Sequence, residues 1–238
     1  MTKKKIKPFK IRCSQIGVIM TNPKTKEAQE AGELSQGAQT YCKTWLKEQL
    51  YDRDNEFASK YTDKGNIVEQ DSVDFAADKL EWGFVFKNEE YKENDFLTGT
   101  CDVVLQKRII DMKNAYDLWT FPIFEDKPKD KNNEQQLQGY MELWDKEEAQ
   151  IVYTLMDTPE HLIEKEIRSY AYNNDIEEAS QEMIDGIVRN HTYDDIPDEY
   201  KIKAFEPIAR DREYMAKVKE RVAMCQAYIN ELLIKINY

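Results

Sequence analysis

The chain has 238 residues, 41% of them apolar and 11% aromatic, which is enough to bury a sizeable core. Its formal net charge is −12, from 34 basic and 46 acidic residues, which argues against a broad phosphate-binding surface and leaves room only for a local basic groove or a metal ion. No apolar run approaches the ~18 residues of a membrane span, and the start, Met1-Thr2-Lys3-Lys4-Lys5, lacks the apolar region of a signal peptide, so a cytoplasmic protein is expected.

Residues 3–12 hold five Lys and one Arg, so the remainder carries about −18. The arm Lys3-Lys4-Lys5-Ile6-Lys7 reads either as a phosphate-binding arm or as a plain solvated tail. Residues 14–20 read as a short helix with Ser14 as N-cap. Residues 36–50 read as a second helix, with Tyr41, Trp45 and Leu46 near helical spacing. Apolar residues at 68, 73, 76, 77 and 80 predict a third, with Glu69 in its first turns. There Glu69 has a plain role, complementing the helix dipole. The run Trp82-Gly83-Phe84-Val85-Phe86-Lys87 looks like a strand.

The most informative stretch follows. Residues 97–105 and 108–113 are apolar and β-branched enough for two strands, joined by a turn centred on Gln106-Lys107. In an antiparallel pair about that turn, residues whose numbers sum to 213 lie opposite each other. Asp102 then faces Asp111, and strand alternation puts Lys113 on the same face. Like charges directly opposite destabilise a hairpin, so a site holding both carboxylates wants a cation between them. All-oxygen donors of this kind suit Mg²⁺ or Mn²⁺. The plain alternative is a solvated face, since 34% of the residues are charged. Against it, Asp111 follows Ile109-Ile110 and Asp102 precedes Val103-Val104-Leu105, and isolated acids inside apolar runs are less often simple surface. Lys107 and Arg108 are local basic candidates for phosphate contact.

Trp119-Thr120-Phe121-Pro122 reads as a loop, whose aromatic pair packs the core in preference to stacking on a base. Residues 126–133 are a charged connector. In the helix that follows, Gln136 and Tyr140 are i and i+4 and share a face, beside the apolar stripe Leu137, Met141 and Trp144. Residues 150–156 alternate as a strand, and 158–172 and 176–189 look helical and highly charged. Residues 202–208 read as a last strand. Residues 211–236 read as a long helix with Tyr214, Val218, Val222, Cys225 and Ile229 on one face. Helices flanking a short mixed sheet make an α/β sandwich.

Taken in order, these segments resemble the PD-(D/E)XK nuclease superfamily, and within it the RecB, YqaJ and phage lambda exonuclease branch. That branch carries a helical Glu after a Gly, then G-x-x-D, D-x-K and Q-x-x-x-Y. They are matched here by Gly65 to Glu69, Gly99 to Asp102, Asp111 to Lys113, and Gln136 to Tyr140. The segment 12–20 is similar to the Ser-led opening helix of the YqaJ branch. The resemblance covers most of the chain. It implies an α/β restriction-endonuclease-like core, a short mixed β-sheet flanked by helices, forming one domain over 1–238 with a helical insertion at about 158–200.

The resemblance further implies a deoxyribonuclease. Asp102, Asp111, Glu69 and the Met112 backbone carbonyl hold one or two Mg²⁺ or Mn²⁺ ions. Water made acidic by the metal attacks the phosphorus. Lys113 orients it or stabilises the charge of the transition state; neighbouring carboxylates favour its protonated form, so the electrostatic role is the expected one. Gln136 positions the site, Tyr140 supports it, and Ser14 contacts a terminal phosphate. The branch implies end-dependent 5′ to 3′ resection of linear duplex DNA in phage-type recombination or repair. It also implies a ring-shaped trimer, an annealing recombinase as partner and, for a phage protein, the host cytoplasm. An endonuclease of repair or restriction type is the alternative on the same fold. A catalytically silent DNA-binding or assembly module is the alternative of another class. The four cysteines, 13, 42, 101 and 225, form no C-x-x-C pair, so zinc is not expected. Only Cys225 lies near the C-terminus, so neither is the iron–sulfur cluster of some RecB-like nucleases. Buried small hydrophobes are the expected role of these thiols. His161 and His191 have no assigned role.

Overall fold

A computed structural model describes residues 6–55 and 60–236, with side chains described from residue 63 onward in the second stretch. The Lys3-Lys4-Lys5 part of the basic arm lies outside the described residues.

The chain opens with strand β1 (Ile11–Arg12), a 3₁₀ turn (Cys13–Gln15) and helix α1 (Ile16–Met20). The expected N-cap at Ser14 does not form: Ser14 lies inside the 3₁₀ turn, and α1 starts without a side-chain cap. Helix α2 (Lys26–Glu30) precedes α3 (Gln36–Tyr51), which Ser35 caps by accepting from the Ala38 N–H at 3.1 Å. Helix α4 (Lys60–Lys79) is longer than its apolar pattern suggests. Glu69 is its tenth residue and sits mid-helix, so a dipole role for this side chain is corrected.

Residues 82–87 are not a strand. Glu81 and Gly83 take positive φ, 54° and 75°, and break the extended run, leaving Phe84 and Phe86 exposed. The single strand expected over 97–105 is two, because the chain changes sheets at residues 100–102. Strand β3 (Leu97–Gly99) lies between β1, parallel, and β2 (Lys92–Glu93), antiparallel. Strand β4 (Val103–Val104) joins a second sheet with β5 (Arg108–Asn114), β6 (Glu148–Thr154), β7 (Ile202–Ala204) and β8 (Ile208–Ala209).

Between β5 and β6 runs helix α5 (Lys131–Trp144), the crossover that a parallel β5–β6 pair requires. Helices α6 (Glu160–Asn173) and α7 (Gln181–Arg189) lie between β6 and β7, and the last expected strand breaks in two around Phe205-Glu206-Pro207. Helix α8 (Arg212–Lys235) ends the described fold, capped by Asp211, and packs Val218, Val222, Cys225 and Ile229 into the main core with α3 and α5. All four cysteines are buried, in keeping with their expected packing role. The architecture is a mixed α/β fold with helices on both sides of short sheets. Among the described residues no helix is long and apolar enough to cross a membrane.

Candidate active site

The expected hairpin register holds. Val103 pairs with Ile110 and Val104 with Ile109, and the Leu105 N–H donates to the Arg108 carbonyl at 2.9 Å across the turn. Beyond β4 the ladder is continued by a side chain. The Met112 N–H donates to Asp102 Oδ2 at 2.6 Å, so the carboxylate fixes itself to the strand that carries Asp111 and Lys113. Asp111 is 1% exposed. Its Oδ1 accepts from Gln136 Nε2 at 3.2 Å, and its Oδ2 lies 2.9 Å from Lys113 Nζ. The ammonium is thus the one cation in direct contact with the Asp111 carboxylate among the described residues. Gln136 Nε2 also donates to Tyr140 Oη at 2.8 Å, so the i, i+4 pair on α5 acts as one unit that aims at Asp111.

The electrostatics follow from this crowding. Burial, and then the charge of Asp111, push the Asp102 carboxyl up to about 8, against the pull of the Met112 N–H and Lys113. Burial likewise raises Asp111, and Lys113 offsets only part of that rise. Burial works against the Lys113 charge, but Asp111 and Asp102 outweigh it and hold the ammonium above its ordinary range. One buried and one half-buried carboxylate served by one lysine are short of positive charge. Together with an all-oxygen donor set, this fits a hard divalent cation.

Glu69 enters from α4. Two side-chain ties, from Ser72 and Lys64, fix that helix on the hairpin sheet. Asn114 Oδ1 accepts from the Ser72 hydroxyl and, at 2.7 Å, from the Thr154 hydroxyl. Lys64, 1% exposed, donates to the Tyr116 carbonyl at 2.8 Å. Burial lowers the Lys64 ammonium to about 8, though Asp117 and Asp157 counter it. Glu69 stands close enough to raise both Asp102 and Asp111 by its charge. Its carboxylate, however, is held by Lys87 Nζ at 2.5 Å. Among the described residues, no three Asp, Glu, His or Cys side chains stand close enough together to share one ion.

Over the full chain the fold is shared with solved structures. The phage-related exonuclease of Haemophilus somnus 129PT is 32% identical, over 97% of each chain, with a TM-score of 0.77. The chain belongs to this exonuclease family. It is the lambda-exonuclease-like branch of the PD-(D/E)XK superfamily, and this protein is a nuclease of phage type. The alkaline exonuclease LHK-Exo of Laribacter hongkongensis has the same fold at 14% identity, over 96% of this chain and 91% of its own, with a TM-score of 0.64. Its complex with dAMP aligns at 16% identity with a TM-score of 0.62. No protein-family profile matches the sequence, and no curated protein matches it.

Of the residues the sequence singled out in this nuclease, Asp102, Asp111, Lys113, Gln136 and Tyr140 meet directly, and Met112 joins them through its backbone N–H. Ser14 is exposed on the 3₁₀ turn, beside Cys13, whose sulfur lies where Cβ atoms on Gly99 and Gly139 would point. Lys107 and Arg108, the candidates for phosphate contact, lie away from the carboxylates. They sit at the turn end of the hairpin, roughly 16 Å along the strand from Lys113 at ~3.3 Å per residue. Arg108 is engaged by Glu148 at 2.9 Å and Gln150 at 3.3 Å. The loop aromatics divide: Phe121 is buried as expected, whereas Trp119 is 76% exposed. Lys87 and Asn114 were not legible as site residues. Asn114 does follow the D-x-K lysine directly, which was a usable signal. Lys87 follows an aromatic run and carried none.

Proposed function

We propose that this nuclease is a Mg²⁺- or Mn²⁺-dependent exodeoxyribonuclease that resects linear duplex DNA from its ends, 5′ to 3′. The observation that carries the reading is the joining of Asp102, Asp111 and Lys113 at the end of one hairpin. There, burial leaves two carboxylates with less positive charge than they need. Asp102 and Asp111, with the Met112 carbonyl, would hold the ion, and Glu69 would join them. When bound, a divalent cation supplies a more acidic water and charge neutralisation at the phosphate. Lys113, protonated, faces the charge that develops on the phosphoryl oxygens and stabilises it. Gln136 keeps Asp111 in one rotamer, and Tyr140 keeps Gln136 in place; burial holds the Tyr140 phenol protonated.

DNA as substrate is supported by the dAMP bound to LHK-Exo and by the family name. We carry the ring-shaped trimer, the annealing recombinase partner, the one-domain organisation with 158–200 as insertion, and a place in the host cytoplasm over from the resemblance to lambda exonuclease. The test is cleavage of linear duplex and of covalently closed circles in Mg²⁺ and Mn²⁺, with Lys113→Ala alongside. Loss of the linear form alone, abolished in the variant, is the expected result. Cutting of circles makes the enzyme an endonuclease. Binding without cutting in either metal makes it a silent module.

A further inference from the structure

Lys87 has no place in the family motifs, yet it holds one of their carboxylates. Its ammonium lies 2.5 Å from Glu69 Oε2, with the lysine side chain 34% exposed and the glutamate 21%. It reaches Glu69 from residues 82–87, a segment without regular structure that contains the positive-φ Gly83. The field of Asp102 also bears on this ammonium. The next residue, Asn88, donates its N–H to the Asp102 carbonyl at 2.6 Å, so Lys87 holds the helix-borne Glu69 beside the strand-borne Asp102. Meanwhile no three acidic side chains close on one point among the described residues. Asp102 and Asp111 are tied down by Met112, Gln136 and Lys113. Among the described residues, Glu69 is tied to a flexible four-carbon side chain alone.

We propose that Lys87 is a tethered counter-ion for Glu69, which holds the third carboxylate until a divalent ion displaces it and is then free to meet a phosphate of the DNA. This rests on the metal-dependent reading of the site. A lysine suits such an exchange because its single charge pairs with either a carboxylate or a phosphate oxygen, and because its segment is not locked in a sheet ladder. Glu69 suits it because a carboxylate gives up one partly exposed ammonium at small cost when a doubly charged ion offers more.

The test is Mn²⁺ binding without DNA, by calorimetry, to wild type, Lys87→Met and Lys87→Arg. Lys87→Met is expected to bind Mn²⁺ about fivefold tighter than wild type, the scale of one partly exposed ion pair. Lys87→Arg is expected to match wild type. Equal or weaker binding by Lys87→Met overturns the proposal and leaves the metal site standing. No binding by either protein overturns both. A purely structural ion pair would lower the melting temperature of Lys87→Met without tightening the metal. The handover is tested by duplex DNA binding in EDTA. Glu69→Gln is expected to bind several-fold tighter than wild type, and Glu69→Gln with Lys87→Met to lose that gain. A gain that survives in the double variant comes from removing the negative charge alone and overturns the handover.

Discussion

Asp111 and Lys113 stand on a strand paired along its whole length with β6 and on its other side with β4 and then the Asp102 carboxylate, whereas Glu69 stands on a helix joined to that strand through side chains alone. The strand half is rigid because backbone ladders set it, and its cost is electrostatic: two crowded carboxylates that repel each other. The helix half carries its own counter-ion, Lys87 on Glu69, and its cost is that Glu69 is not released. Rigid placement and charge neutralisation are thus supplied by different parts of the molecule, and a divalent ion would join them. Breaking either half alone should therefore give different signatures.

The largest effect is expected in the strand half. Asp111→Asn removes the partner of Lys113 and the anion that Gln136 orients, in a side chain of the same shape. Turnover should fall by about 10³ or more, the scale of losing a preorganised charge at the reacting centre, with the circular dichroism spectrum unchanged. Single-turnover rates within about tenfold of wild type would remove Asp111 from the chemistry. Next is Gln136→Ala, which leaves Asp111 and Lys113 in place but frees the carboxylate rotamer. A loss of about 10- to 100-fold is expected, with weaker metal binding, as for other partners that orient a ligand from behind it.

The repulsion in the strand half should be measurable without catalysis. The Asp102 carboxyl is raised from 3.8 to about 8 on folding. A raised acid binds its proton more tightly in the folded state, so its contribution is complete below about pH 4 and is lost as pH rises toward 8. In EDTA the melting temperature of wild type should fall across that window. Asp102→Asn should flatten the fall and melt higher at pH 8, by on the order of 5 °C. A saturating divalent ion should restore the wild type. Parallel pH curves for wild type and variant would show that Asp102 titrates normally.

The two halves also differ in how far they could be read from sequence. The hairpin register was legible because the turn at Gln106-Lys107 fixes which residues lie opposite each other, and Val103 with Ile110 is one of the pairs it gives. The chain's change of sheet at 100–102 was not, since both flanking pieces look like strand. The upstream half of α4 was hidden for a similar reason. It contains Lys64, a buried lysine satisfied by the Tyr116 carbonyl 52 residues away, and helical periodicity does not register such a residue. Phe84, Val85 and Phe86 look like strand by composition, and positive φ at Glu81 and Gly83 overrides that preference. Lys87 was invisible because its role depends on where an irregular segment happens to pass.

The smallest expected effects come from the two motif glycines, one in each half, and they sharpen the contrast. A Cβ on Gly99 would meet Cys13 Sγ and Tyr140 Cε1, each at 3.1 Å, in the buried junction behind Asp102 and Gln136. Gly99→Ala must push Tyr140, so it should cost stability of about 1–3 kcal/mol and lower turnover together. A Cβ on Gly65 meets nothing within 4 Å, and its backbone is ordinary helix. Gly65→Ala should therefore stabilise α4 by about 0.5–1 kcal/mol, a rise of a few degrees in melting temperature, with turnover unchanged. A glycine needed for close packing and one merely tolerated in a helix look identical in a motif; differential scanning calorimetry of the two variants separates them. Loss of activity in Gly65→Ala would mean that α4 must bend or part from the sheet there for Glu69 to reach the metal, which the side-chain ties at Lys64 and Ser72 oppose.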